Sequence, residues 1–189
     1  MCWLLLAMDE QKHNYSCVSS GVRHGGSKTA EVDLVSLLSL IGAAADDHVL
    51  HVLRGHGLHD LRVSHGYVIQ RLLDGPRTAT QIASELGVSQ QAVSKSVLDL
   101  TAAGYLSRVS DPRDRRRRPL ELTPRGQDAV RLARQTRAAL GERLARRVSG
   151  EDLERTRVVL LAALDVLGIA DAVTRRRVRG PSLANHDHP

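Results

Sequence analysis

Between Thr78 and Thr123 the chain has little conformational freedom. Two short runs of helical apolar spacing are separated only by Gly87-Val88-Ser89, and the second runs into a segment with strand-like flanks and an arginine-rich centre, TATQIASELGVSQQAVSKSVLDLTAAGYLSRVSDPRDRRRRPLELT. Thr78 is placed to cap a helix holding Ile82, Ala83 and Leu86, and Gly87 to close it. Ser89 caps the next helix, which would bury Val93, Val97 and Leu100 and end at Gly104. Tyr105–Val109 and Leu120–Leu122 are short enough to be hairpin strands around Asp111–Pro119. The expected order is helix, three-residue turn, helix, hairpin.

The flanks are helical. From Ala30 to about Gly55, apolar residues at Val32, Val35, Leu38, Ile41, Ala45, Val49 and Val52 recur in three- and four-residue steps. Leu61 to Leu73 repeats the pattern and Gly75-Pro76 stops it. Thr123-Pro124 opens an Arg/Ala-rich helix to about Val148, Pro standing at its first position. Ser149-Gly150 breaks that helix, and Glu151 to Leu167 forms the last one. The predicted class is mainly α with a small β-hairpin wing. Residues 1–30 and 171–189 read as tails, since neither has periodic apolar spacing, and the apolar run Cys2–Met8 is too short for a membrane span and lacks a basic leader. No stretch approaches 18 consecutive apolar residues, and Cys2 and Cys17 are the only cysteines, which reads as a cytoplasmic, reducing setting.

Charge narrows the function. The formal net charge is +6, and although arginine richness can reflect a GC-rich genome, its distribution is uneven. Ser107–Arg118 holds six arginines against two aspartates, and Arg175, Arg176, Arg177 and Arg179 form a second cluster. A polyanionic partner fits this distribution. In the second helix, Ser89, Gln90, Gln91, Ser94 and Lys95 are the polar face. Gln can pair with adenine in the major groove, while Ser, Lys and the helix N-terminus favour phosphate. A Ser/Gln-rich helix start is also what any capped, solvated face looks like. The arginine hairpin directly behind it favours double-stranded DNA, because an arginine at a hairpin tip can enter the narrow minor groove.

On these residues the chain resembles the MarR family of bacterial winged-helix regulators. The resemblance rests on IASELGVSQQAVSKSVLDLTAAGYLSR (Ile82–Arg108) and, more specifically, on DPRDRRRRPLELTPRG (Asp111–Gly126), and it extends more weakly from about Val32 to Leu167. It implies a recognition helix over Ser89–Ala103 and a wing in which Asp114 forms a steadying salt bridge and Arg116 enters the minor groove. Arg113, Arg115 and Arg117 become phosphate or groove contacts. Ser96 and Asp99 depart from the pattern, which usually carries leucine and a basic residue there. An acid at Asp99 would repel phosphate, so that part of the helix is expected to turn away from DNA.

The resemblance also implies a homodimer, since one helix-turn-helix covers one half-site and two must stand about 34 Å apart. Residues 31–60 would be an N-terminal dimerisation helix, 61–123 the winged helix-turn-helix and 124–170 the C-terminal dimerisation helices. Relatives often release DNA when a lipophilic or phenolic molecule binds between those parts, and His51, His65, Tyr67 and Arg71 are the candidate lining. These four are also ordinary partly buried polar residues.

His48, His51, His56, His59 and His65 crowd into 18 residues. No cysteine is near enough to complete a zinc site and Gly55 and Gly57 interrupt the helix, so no metal and no cofactor are expected. A cysteine redox switch is disfavoured, as Cys17 lies well ahead of the first helix. No phosphate loop, nucleophile elbow or carboxylate pair with a partner histidine points to an enzyme. The function expected is a sequence-specific regulator, most simply a repressor at a pseudo-palindromic operator, with a non-specific architectural DNA binder as the rival.

Overall fold

In the computed structural model, which describes residues 32–109 and 118–169, helix boundaries fall where side chains satisfy the free amides of the first turn. Asp33 accepts from the Ser36 amide to start α1 (Leu34–Gly55). Thr78 and Gln81 form a reciprocal capping box at α3 (Ala79–Leu86), and Ser89 accepts from the Ala92 amide to start α4 (Gln90–Ala102). Thr123 caps α5 (Pro124–Ala145), and Ser149 caps α6 (Gly150–Val166). α2 (Val63–Arg71) alone has no side-chain cap at its start, with Arg62 in that position.

Strand β1 (Leu106–Arg108) pairs antiparallel with β2 (Leu120–Leu122) in the register Leu106 opposite Leu122. The ladder has an extra rung that the sequence did not announce. Arg77, just ahead of α3, exchanges backbone hydrogen bonds with Leu120 at 3.1 and 2.8 Å, so β2 lies between β1 and the α2–α3 connection.

The core gathers α1 to α5 and the strands around Val49, Leu53, Leu61, Ile69, Ile82, Val97, Leu100, Tyr105 and Leu120. The Leu-Thr-x-x-Gly string at the start of α5 acts as a clasp. The Thr123 hydroxyl donates to the Gly104 carbonyl at 2.6 Å and accepts from the Gly126 amide at 3.1 Å. Gly126 is buried against the Tyr105 carbonyl oxygen, where a Cβ would collide. The Arg125 guanidinium lies 5.0 Å over the Tyr105 ring and donates to the Gly57 carbonyl, tying α5 to the α1–α2 turn.

The apolar stripe of α1 divides. Its C-terminal half buries Ala45, Val49, Leu50 and Leu53 against the core, whereas Val35 and Ile41 on the same stripe are 71% and 62% exposed. Three- and four-residue spacing shows that a face is apolar, not what covers it. α1 is also long and apolar enough to cross a membrane. Here it is a core helix, packed on α5 and carrying Asp46 in a buried 2.9 Å ion pair with Arg137. α6 buries no residue, leaving Val158, Val159, Leu160, Leu161, Val166 and Leu167 exposed.

Candidate nucleic-acid interface

The α3–turn–α4 unit is built from local chemistry. Gly87 adopts the left-handed conformation at φ +67°, which ends α3 and turns the chain within three residues into the Ser89 cap. Ile82, Ala83 and Leu86 of α3 and Val93, Val97 and Leu100 of α4 face the core. With that side fixed, Gln90, Gln91 and Lys95 of α4 are exposed and Ser94 is half-buried beside them. Ser89 is exposed too; its oxygen accepts from the Ala92 amide, which leaves its O–H free to donate to a phosphate.

The wing's base is formed by β1 and β2, with the pairing continued by the Val109 amide on the Pro119 carbonyl at 2.8 Å. Arg108 and Arg118 are exposed there, two cations at the root of the hairpin that the tip-centred sequence reading passed over. Arg113, Asp114, Arg115, Arg116 and Arg117 lie outside the described residues, as do both cysteines and the Arg175–Arg179 cluster.

Asp99 is engaged with the start of α2. Its carboxylate accepts from Arg62, at the start of α2, at 2.9 Å and stands 3.8 Å from His65 Nε2, so it pins α4 to α2. Burial pushes the His65 imidazole below its ordinary value near 6.5, with Arg62 adding to the effect and Asp99 pulling partly back. No sequence pattern announced this contact, because its partners are 34 to 37 residues away, but the unusual acid at that position marked the place.

The four residues expected to line an effector pocket lie on α1 and α2. His51 is exposed on α1, whereas His65 is buried beside Asp99. Arg71 is buried with its Nε 3.6 Å from Glu85, which also meets Arg77 at 3.5 Å; Tyr67 is half-buried against the core. A cavity of about 620 Å³ opens between the end of α2, β2 and α5. Leu72, Leu73, Leu122 and Val130 line it, with Arg131 and Arg134. A second, of about 570 Å³, includes His56, Leu58, Arg125 and Asp128. Among the described residues no three His, Cys, Asp or Glu side chains form a set that could hold a metal ion.

This geometry has close counterparts. Residues 59–117 match the family model described as MarR family. The chain is similar to Streptococcus pneumoniae FabT, solved in complex with DNA, at 26% identity and a TM-score of 0.62 over 71% of this chain and 95% of that one. It is similar in fold to Staphylococcus aureus MepR in a DNA complex (22% identity, TM-score 0.56, 72% of this chain and 99% of that one). The same holds for the reduced form of MarR from E. coli (18% identity, TM-score 0.57, 70% and 97%). No curated protein sequence matches the chain.

Proposed function

We propose that this protein is a MarR-family, DNA-binding transcription regulator, a repressor that binds a pseudo-palindromic operator as a homodimer in the cytoplasm; the match of residues 59–117 to the MarR family model and the likeness to a regulator solved with DNA support the reading. The observation that carries the reading is the free face of α4. Its core side is fully occupied by Val93, Val97 and Leu100, and its opposite side presents Gln90, Gln91, Ser94 and Lys95 next to a basic hairpin root. Gln side chains at the N-terminal turn supply paired hydrogen bonds to base edges, worth about 1–3 kcal/mol of discrimination each. Arg108 and Arg118, and beyond them Arg113, Arg115, Arg116 and Arg117 with Asp114 as their steadying acid, supply phosphate and minor-groove contacts.

Dimerisation supplies the second half-site. The unburied apolar residues of α6 and of the first half of α1 are too many for a solvated surface and form the self-association face. The 620 Å³ cavity is within the range of small-molecule sites and is lined by both the wing strand β2 and the long helix α5. A lipophilic or phenolic effector wedged there separates the DNA-reading part from the dimerisation arm and releases the operator.

Capture of random genomic fragments on the purified full-length protein at about 150 mM salt, followed by sequencing, tests the reading. An enriched inverted repeat with half-sites about one helical turn apart supports it. Uniform recovery of all fragments, with a steep salt dependence, indicates an architectural DNA binder instead.

A further inference from the structure

One side chain on the free face of α4 is not polar. Leu98 is 64% exposed and, among the described residues between Ile41 and Leu144, it is the one large hydrophobic side chain left in solvent. A single exposed leucine is ordinary on a protein surface; its register is what distinguishes this one. Leu98 follows Gln91, Ser94 and Lys95 at seven, four and three residues, so all four share one helical face, opposite Val93, Val97 and Leu100. The spacing i, i+3, i+4, i+7 is the one by which a recognition helix presents base-contacting side chains to the major groove. Leu98 stands about 10 Å along the helix axis from Gln91 and on the same side of α4.

The major groove offers hydrogen-bonding edges and one apolar group, the C5-methyl of thymine. Leucine can satisfy none of the former. Against guanine O6 and N7, or the amino groups of cytosine and adenine, it would remove water and return no hydrogen bond, a net penalty. Against the thymine methyl it buries apolar surface on both partners. The asymmetry gives selection by attraction to one base and by penalty against the others.

We propose that Leu98 is a specificity-determining residue that selects a thymine, through its 5-methyl group, at one position of each operator half-site. The inference rests on the DNA-binding reading above. The test is a selection from a random duplex library with full-length wild-type protein and with Leu98→Ala, followed by anisotropy titration of the selected duplex. In that duplex each symmetric thymine pair is replaced in turn by deoxyuridine, which removes the methyl and leaves Watson–Crick pairing intact. One thymine pair is expected whose replacement weakens wild-type binding about fourfold per half-site, hence about fifteenfold for both, the equilibrium equivalent of one buried methyl each. Leu98→Ala should bind thymine and deoxyuridine duplexes within about twofold of one another. If a motif is enriched but no thymine pair is sensitive to loss of its methyl in the wild type, or if Leu98→Ala keeps the full sensitivity, the role of Leu98 is overturned and the DNA reading stands. If no motif is enriched, both fall together.

Discussion

Gly126 shows how much one missing side chain can decide. It sits in the first turn of α5 with its α-carbon against the Tyr105 carbonyl, which also accepts from the Thr123 amide, and a Cβ there would also press Leu122 at 3.1 Å. The obstacle is backbone on one side and a packed leucine on the other, so little can yield. Gly126→Ala is expected to destabilise the fold by about 1–3 kcal/mol, in spite of alanine's better helix propensity. Gly141→Ala, in the same helix with nothing within 4 Å, should instead be neutral or stabilising by up to about 1 kcal/mol. Urea denaturation of the two variants checks the pair, and equal effects would mean the clasp at Tyr105 is not tight. The sequence marked Gly126 as part of a motif; the reason, a close backbone approach between residues 21 apart, became visible only in three dimensions.

At the scale of elements, what could be read from sequence was whatever local chemistry decides. Thr78, Gly87 and Ser89 fix the two helices of the turn with bonds spanning three to five residues, and the structure places the caps at those residues. The extra Arg77 rung and the Arg62–Asp99–His65 contact could not be read, since both depend on how elements already formed come together. The latter has a pH signature. His65 is buried with its Nδ1 unpartnered and its folded pKa lowered, so the unfolded chain binds the proton more readily. The stability gained from keeping His65 neutral is therefore complete above the unfolded pKa near 6.5 and is lost as pH falls through that value toward the folded one. Denaturant midpoints measured from pH 7.5 to 5 should fall more steeply for the wild type than for His65→Gln. Parallel curves would show that the imidazole carries no part of the acid sensitivity.

For the whole molecule, one apolar code serves two purposes. The spacing that buries Val49 and Leu53 in the core also places Leu34, Val35, Leu40 and Ile41 in solvent, and α6 repeats the pattern with no core to meet. Sequence periodicity shows that both stretches are apolar on one face and cannot say which of them the core covers. Between the two surfaces runs α5, about 33 Å long by its 22 residues, anchored to α1 by the buried Asp46–Arg137 pair. That pair ties α5 to α1 through two side chains shielded from water, so moving one helix past the other would part buried charges. In the dimer proposed above, an interface at α6 would set the separation of the two α4 helices through this arm. Replacing Val159 and Leu160 together by Glu should therefore do more than weaken self-association. Light scattering at micromolar concentration should give a monomer for the variant and a dimer for the wild type. Operator affinity should fall by about a hundredfold or more, as the second half-site ceases to be an intramolecular contact. The α4 face and the wing are untouched by these changes, so the residual binding should keep its preference for a single half-site. A variant that stays dimeric would move the self-association face away from α6, and a monomeric variant with undiminished operator affinity would show that one recognition helix suffices.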